Sequence, residues 1–279
     1  MRGTLAVSRA VSRSAVAALG RGSPTSGWTM IVVALGATAW LAMLVLMGGM
    51  DQGPGTPLHE LPVFLAGWIV MLTAMMLPSE LTYVGAFGLL LKGRGRPAVE
   101  RRRRVRSFIA GYFFAWVGYG LVAYLLDSAV RALNLEMTAW YRDGPYLAGA
   151  VLIGAGLYQV SPLKHACLKG CRSPLSFFAR HWREGDAGAV GMGFRHGLVC
   201  VGCCWALMAV MFAVGAMSLT WMALLTVFMF AEKILLHGRK LTPLIAGFLW
   251  VMGIWIALSP TTAPLLKDPL IFGSICKGF

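Results

Sequence analysis

Apolar residues in this chain come in long blocks separated by short polar stretches. A helix needs about 20 residues to cross the hydrocarbon core of a bilayer, and blocks near that length run over 28–49, 62–91, 108–127, 145–163, 189–214, 216–235 and 242–259. The pattern predicts an all-α fold, a polytopic transmembrane helix bundle of about seven spans, with six as the alternative. The second block is longer than one crossing requires and contains Pro78, so a kink or a short re-entrant piece is expected there. Residues 1–27 read as a disordered basic cytoplasmic tail, 28–259 as the transmembrane domain and 260–279 as an external C-terminal tail.

Composition agrees with this reading and excludes a soluble globular domain: 58% of residues are hydrophobic, 13% are charged, and the mean hydropathy is +0.70. The net charge of +14 would suggest nucleic acid in a soluble protein. Here the basic residues alternate by loop instead. Arg2, Arg9, Arg13 and Arg21 precede the first block, and Lys92 to Arg106 follow the second. Lys164 to Arg183 follow the fourth, and Lys233, Arg239 and Lys240 follow the sixth. The intervening loops, with Asp51, His59, Glu60, Glu136 and Asp143, are poor in basic residues. Positive charge stays on the cytoplasmic side, which puts the N-terminus inside and the C-terminus outside. The partner is then the lipid bilayer, and no nucleic-acid role is needed for the arginine run at 101–104.

Candidate chemistry lies in three soft-ligand clusters. On a helix advancing about 100° per residue, Met192, His196, Cys200, Cys203, Cys204, Met208 and Met211 share one face about 160° wide. Cys200, Cys203 and Cys204 place three thiols within five residues, with His196 one turn earlier. Met71 and Met75, spaced by four beside Trp68, stack on a second helix face, from which Met76 points away. The third cluster, His165, Cys167 and Cys171, falls between Pro162 and Pro174 and reads as a proline-bounded loop whose lysines favour thiolate. Glu232 and Lys233 read as an interfacial anchor at a helix end. Each cysteine and methionine also suits plain core packing. Apart from Cys276, the cysteines fall in the reducing half of the membrane, so thiols or metal thiolates are expected rather than disulfides.

Thioether and thiolate donors favour Cu(I), with zinc as the rival metal. The candidate metal ligands are Met71, Met75, Cys167, Cys171, His196, Cys200, Cys203, Cys204, Met208 and Met211. Transport of Cu(I), or its delivery to a metalloenzyme, is the function this set favours, with a metal chaperone or a membrane metalloenzyme as protein partner. A thiol-disulfide oxidoreductase using Cys200 and Cys203 and a metal-free assembly subunit are the alternatives. The sequence has no H-E-x-x-H, Walker or G-x-S-x-G motif, hence no hydrolytic machinery of those types.

Between about residues 62 and 259 the chain resembles a bacterial family of predicted metal-binding integral membrane proteins, the domain of unknown function family 2182. The carriers are Trp68, Met71, Met75, Met76 and Pro78, then Tyr158, Gln159, Lys164, Cys167 and Cys171, then Cys200, Gly202, Cys203, Cys204, Met208 and Met211, and finally Glu232 and Lys233. The resemblance implies metal binding and a place in the bacterial cytoplasmic (inner) membrane, and it transfers no fixed activity.

Overall fold

The computed structural model describes residues 26–47, 60–132, 144–214, 218–234 and 238–258. The N-terminal tail up to residue 25, the C-terminal tail with Cys276, and Asp51, His59, Glu136 and Asp143 lie outside the described residues. Within them the chain is all-α. The helices are α1 (Ser26–Met47), α2 (Leu61–Met75), α3 (Leu81–Gly93), α4 (Ala98–Ala132), α5 (Gly144–Gln159), α6 (Pro162–Cys171), α7 (Pro174–His181), α8 (Gly185–Val214), α9 (Leu219–Ile234) and α10 (Gly238–Leu258). A 3-10 turn, Leu77–Glu80, joins α2 to α3.

The described residues show fewer spans than the block count suggested. Among the described residues three helical stretches are long and apolar enough to cross a membrane: Ala98–Val130, Gly185–Val214 and Leu241–Leu258. Counting each of two bent helix pairs as one span brings the number to five. The seven-span expectation fails because an apolar block is not the same thing as a straight helix. The apolar part of α1, Met30–Val45, is a shorter helix. Helix α9 has 16 residues, about 24 Å at 1.5 Å per residue, and carries Glu232 and Lys233 in its last turn. Among the described residues the result is a helix bundle with three to five apolar stretches long enough to cross a membrane, consistent with a multi-pass protein.

Both bends have local causes. Proline lacks an N–H and disfavours helical geometry in the residue before it. Accordingly α2 stops ahead of Pro78, and the chain resumes as α3 at 50°. The second bend, 67° between α5 and α6, is set by Ser161, whose hydroxyl caps α6 by accepting from the Lys164 N–H at 3.2 Å, with Pro162 in the first turn. The stretch from His165 to Cys171 is therefore helix rather than the expected loop. Cys167 and Cys171 stand one turn apart on it.

The long helices α4 and α8 approach backbone to backbone. A Cβ on Gly193 would lie 1.9 Å from the Phe108 carbonyl oxygen, and one on Gly111 would lie 2.1 Å from that of Val190. Only glycine permits this approach, a packing mode that suits helices in lipid. It fixes the rotation of α8. The main apolar core gathers around α8 from α2, α4, α9 and α10, and an aromatic cluster of Tyr83, Phe87, Phe108, Phe177 and Phe178 closes one end.

Candidate metal centre

With α8 held against α4, its soft residues all turn inward: Met192, His196, Cys200, Cys203, Cys204, Met208 and Met211 are buried. Helix α6 crosses α8 and adds a thiol from elsewhere in the sequence. Cys171 Sγ lies 3.4 Å from Cys203 Sγ, which is 3.2 Å from Cys204 Sγ. The sulfurs of Cys171, Cys200 and Cys203 all fall within 4.8 Å of one another. Around a tetrahedral ion with metal–sulfur bonds of about 2.3 Å, the sulfurs stand about 3.8 Å apart. The three thiols thus need only small shifts to hold a metal ion.

Beside the thiols lies a buried ionic network. Lys233 of α9 places its Nζ 3.0 Å from Cys200 Sγ, 3.0 Å from Glu80 Oε1, 3.0 Å from Ser79 Oγ and 3.9 Å from Met76 Sδ. The other carboxylate oxygen of Glu80 is 2.5 Å from His196 Nε2. Tyr112 OH lies 3.2 Å from Cys200 Sγ, and Tyr83 stacks on the His196 ring with centroids 3.7 Å apart. A second pair, Lys164 Nζ to Glu232 Oε2 at 2.6 Å, joins α6 to α9, and Gln159 Nε2 reaches Glu232 Oε1 at 3.4 Å. Charges are costly to remove from water. Two lysines at 0% and 8% exposure are kept there by their paired carboxylates.

The remaining candidate ligands are placed differently. Cys167 is half-buried, with its sulfur against Gly202. His196 has its Nε2 on Glu80, while its Nδ1 has no hydrogen-bond partner among the described residues. Met71, Met75, Met208 and Met211 pack in the core that contains the thiols. Met76, which helical projection turns away from the Met71 face, keeps helical backbone geometry at the end of α2 and is the methionine that meets Lys233.

Sequence reasoning missed Glu80 and the role of Glu232 and Lys233, and it read Lys164 as favouring thiolate where the structure pairs it with Glu232. A signal for Glu80 was present: it is the only charged residue in the apolar block 62–91, and an ionisable group inside a membrane segment marks a functional site by default. Glu232 and Lys233 are buried rather than interfacial. Their partners lie far off in sequence, beyond what spacing reveals.

Residues 65–256 match the PpoB2 family, described as a copper chaperone. The match covers more than half of the chain, and the chain belongs to that family. This corrects the resemblance to the domain of unknown function family 2182: the methionine, cysteine and Glu-Lys motifs that carried it fall inside the copper chaperone match. No curated protein and no solved structure matches the chain.

Proposed function

We propose that this member of the copper chaperone family holds Cu(I) within the bacterial cytoplasmic membrane, N-terminus inside, and delivers it to a membrane metalloenzyme. The metal is cargo. One observation carries the reading: thiols from two helices, Cys171 of α6 with Cys200 and Cys203 of α8, converge to within 4.8 Å in the buried interior, beside the Lys233 ammonium. Soft sulfur donors favour Cu(I) over hard cations, and zinc remains the rival because thiolates suit it too. Cys204, next to Cys203, is the available fourth thiol. Metal binding displaces protons from thiols, and the Lys233 ammonium 3.0 Å from Cys200 Sγ offsets the negative charge that thiolate brings into the bundle.

The test is metal analysis of protein purified anaerobically in detergent. The parent is expected to carry about one copper per chain. Changing Cys171, Cys200 and Cys203 together to serine should remove most of it. A triple variant that keeps the parent's copper content sinks the proposal.

The 3.4 Å contact between Cys171 and Cys203 also favours a second reading, a thiol-disulfide oxidoreductase that uses this pair rather than Cys200 and Cys203. Counting free thiols in intact membranes separates the two, since metal binding needs both thiols reduced.

A further inference from the structure

A metal enclosed by Cys171, Cys200 and Cys203, at 6%, 0% and 1% exposure, is out of reach of any donor or acceptor. Cargo must nevertheless be loaded and released. Cys167 differs from the other described cysteines in being only half-buried. It stands one turn before Cys171 on α6, so the two thiols are neighbours on one helix face. Its sulfur is directed at α8: it lies 2.8 Å from where a Cβ on residue 202 would be, next to Cys203. The absence of a side chain at Gly202 makes that approach possible. The Tyr158 hydroxyl, donating to the Gly202 carbonyl, ties α5 to the same point.

Resting on the function proposed above, we infer that Cys167 is the exchange ligand of the buried site, the thiol through which Cu(I) is loaded and released. On loading, the Cys167 sulfur bonds to copper held by a donor thiolate. The copper–donor bond breaks, and the proton of the Cys167 thiol passes to the leaving donor sulfur. The copper then moves to Cys171 in the same way, with the Cys171 proton returning to Cys167. Copper stays Cu(I) throughout, so no oxidant or reductant is required. Release is the reverse sequence. In this scheme Cys167 sets the rate of exchange, and the three buried thiols set the affinity.

The experiment follows the rate at which bathocuproine disulfonate, a charged Cu(I) chelator, extracts copper from the loaded full-length protein in detergent under anaerobic conditions. Cys167→Ser and Cys167→Ala should slow extraction about tenfold or more while leaving the equilibrium copper content within about twofold of the parent. Gly202→Ala, which keeps the thiol but crowds its sulfur, should slow extraction less. Unchanged rates in both Cys167 variants overturn the inference alone. Copper loss as deep as that of Cys203→Ser also overturns it, by making Cys167 a ligand of the buried set. A parent that binds no Cu(I) overturns the proposed function and this inference with it.

Discussion

Glu184 and Glu80 each gather several donors, one at the surface and the other inside the bundle. Glu184, about half exposed, accepts from Arg94 at 2.9 Å, Arg96 at 3.3 Å, Arg104 at 2.8 Å and the Trp182 indole at 2.8 Å. Glu80, at 4% exposure, meets Lys233, His196 and, at 3.8 Å, the Cys200 thiol. By number of partners the surface cluster looks the stronger. Environment reverses that order: exposed ion pairs are screened by water and salt and contribute little, whereas loss of one partner from a buried pair strands a charge in an apolar interior. The surface cluster clamps the α3–α4 turn to the segment before α8. The buried one connects the 3-10 turn, α8 and α9 at the sulfur of Cys200.

Lys233→Met gives the largest expected effect. It leaves Glu80 without its cation and should cost about 3–5 kcal/mol, seen as a lower unfolding temperature in detergent, together with lower copper content. Adding Glu80→Gln should recover part of the stability but not the copper, because the charge beside Cys200 is still missing. If stability falls less than in a surface variant, the contrast between the two clusters is wrong.

Lys164→Met breaks the other buried pair and should also destabilise by about 3 kcal/mol. Among the described residues Lys164 is bonded to Glu232 and to no thiol, so chains that remain folded should keep their copper. Copper analysis of the folded fraction checks this, and a loss equal to that of Lys233→Met would merge the two pairs into one site.

Met71→Leu with Met75→Leu nearly conserves volume and apolarity. The expected cost is under about 1.5 kcal/mol, and if copper is held by the three thiols alone, as proposed, its content should be unchanged. Metal analysis showing a clear fall in copper would bring these methionines into the binding set.

Glu184→Gln should have the smallest effect. Hydrogen bonds from Trp182 and then Arg104 hold the Glu184 carboxyl down at about 2, against an ordinary value of 4.5. A lowered pKa means that its contribution to stability is complete above pH 4.5 and is lost as pH falls through 2. The difference in unfolding temperature between parent and Glu184→Gln should therefore shrink steadily over that range. A difference that does not vary with pH would show that the clamp acts without its charge.

Much of the site is legible in the order of the residues alone. The helical repeat places His196, Cys200, Cys203, Cys204, Met208 and Met211 on one face, and all are buried. Pro78 marks the break between α2 and α3. Two things are not legible there. The approach of Cys171 to Cys203 depends on the 67° turn at Ser161, which a reading of Pro162 and Pro174 as loop boundaries obscures. The pairing of Lys233 with Glu80 spans 153 residues and obeys no local period.

The sequence by itself determined that the described residues are all helical, with apolar helices of membrane-spanning length and soft side chains on one helix face, because hydrophobic block length and the 3.6-residue repeat act locally and leave their mark on composition and spacing. Only the tertiary structure decided which thiols meet and which carboxylate faces which lysine, and among the described residues it leaves up to five long apolar spans where the block pattern suggested seven. Those outcomes depend on how helices cross and where they bend. At Gly111 and Gly193 two backbones come into contact, and that contact turns the cysteine face of α8 inward.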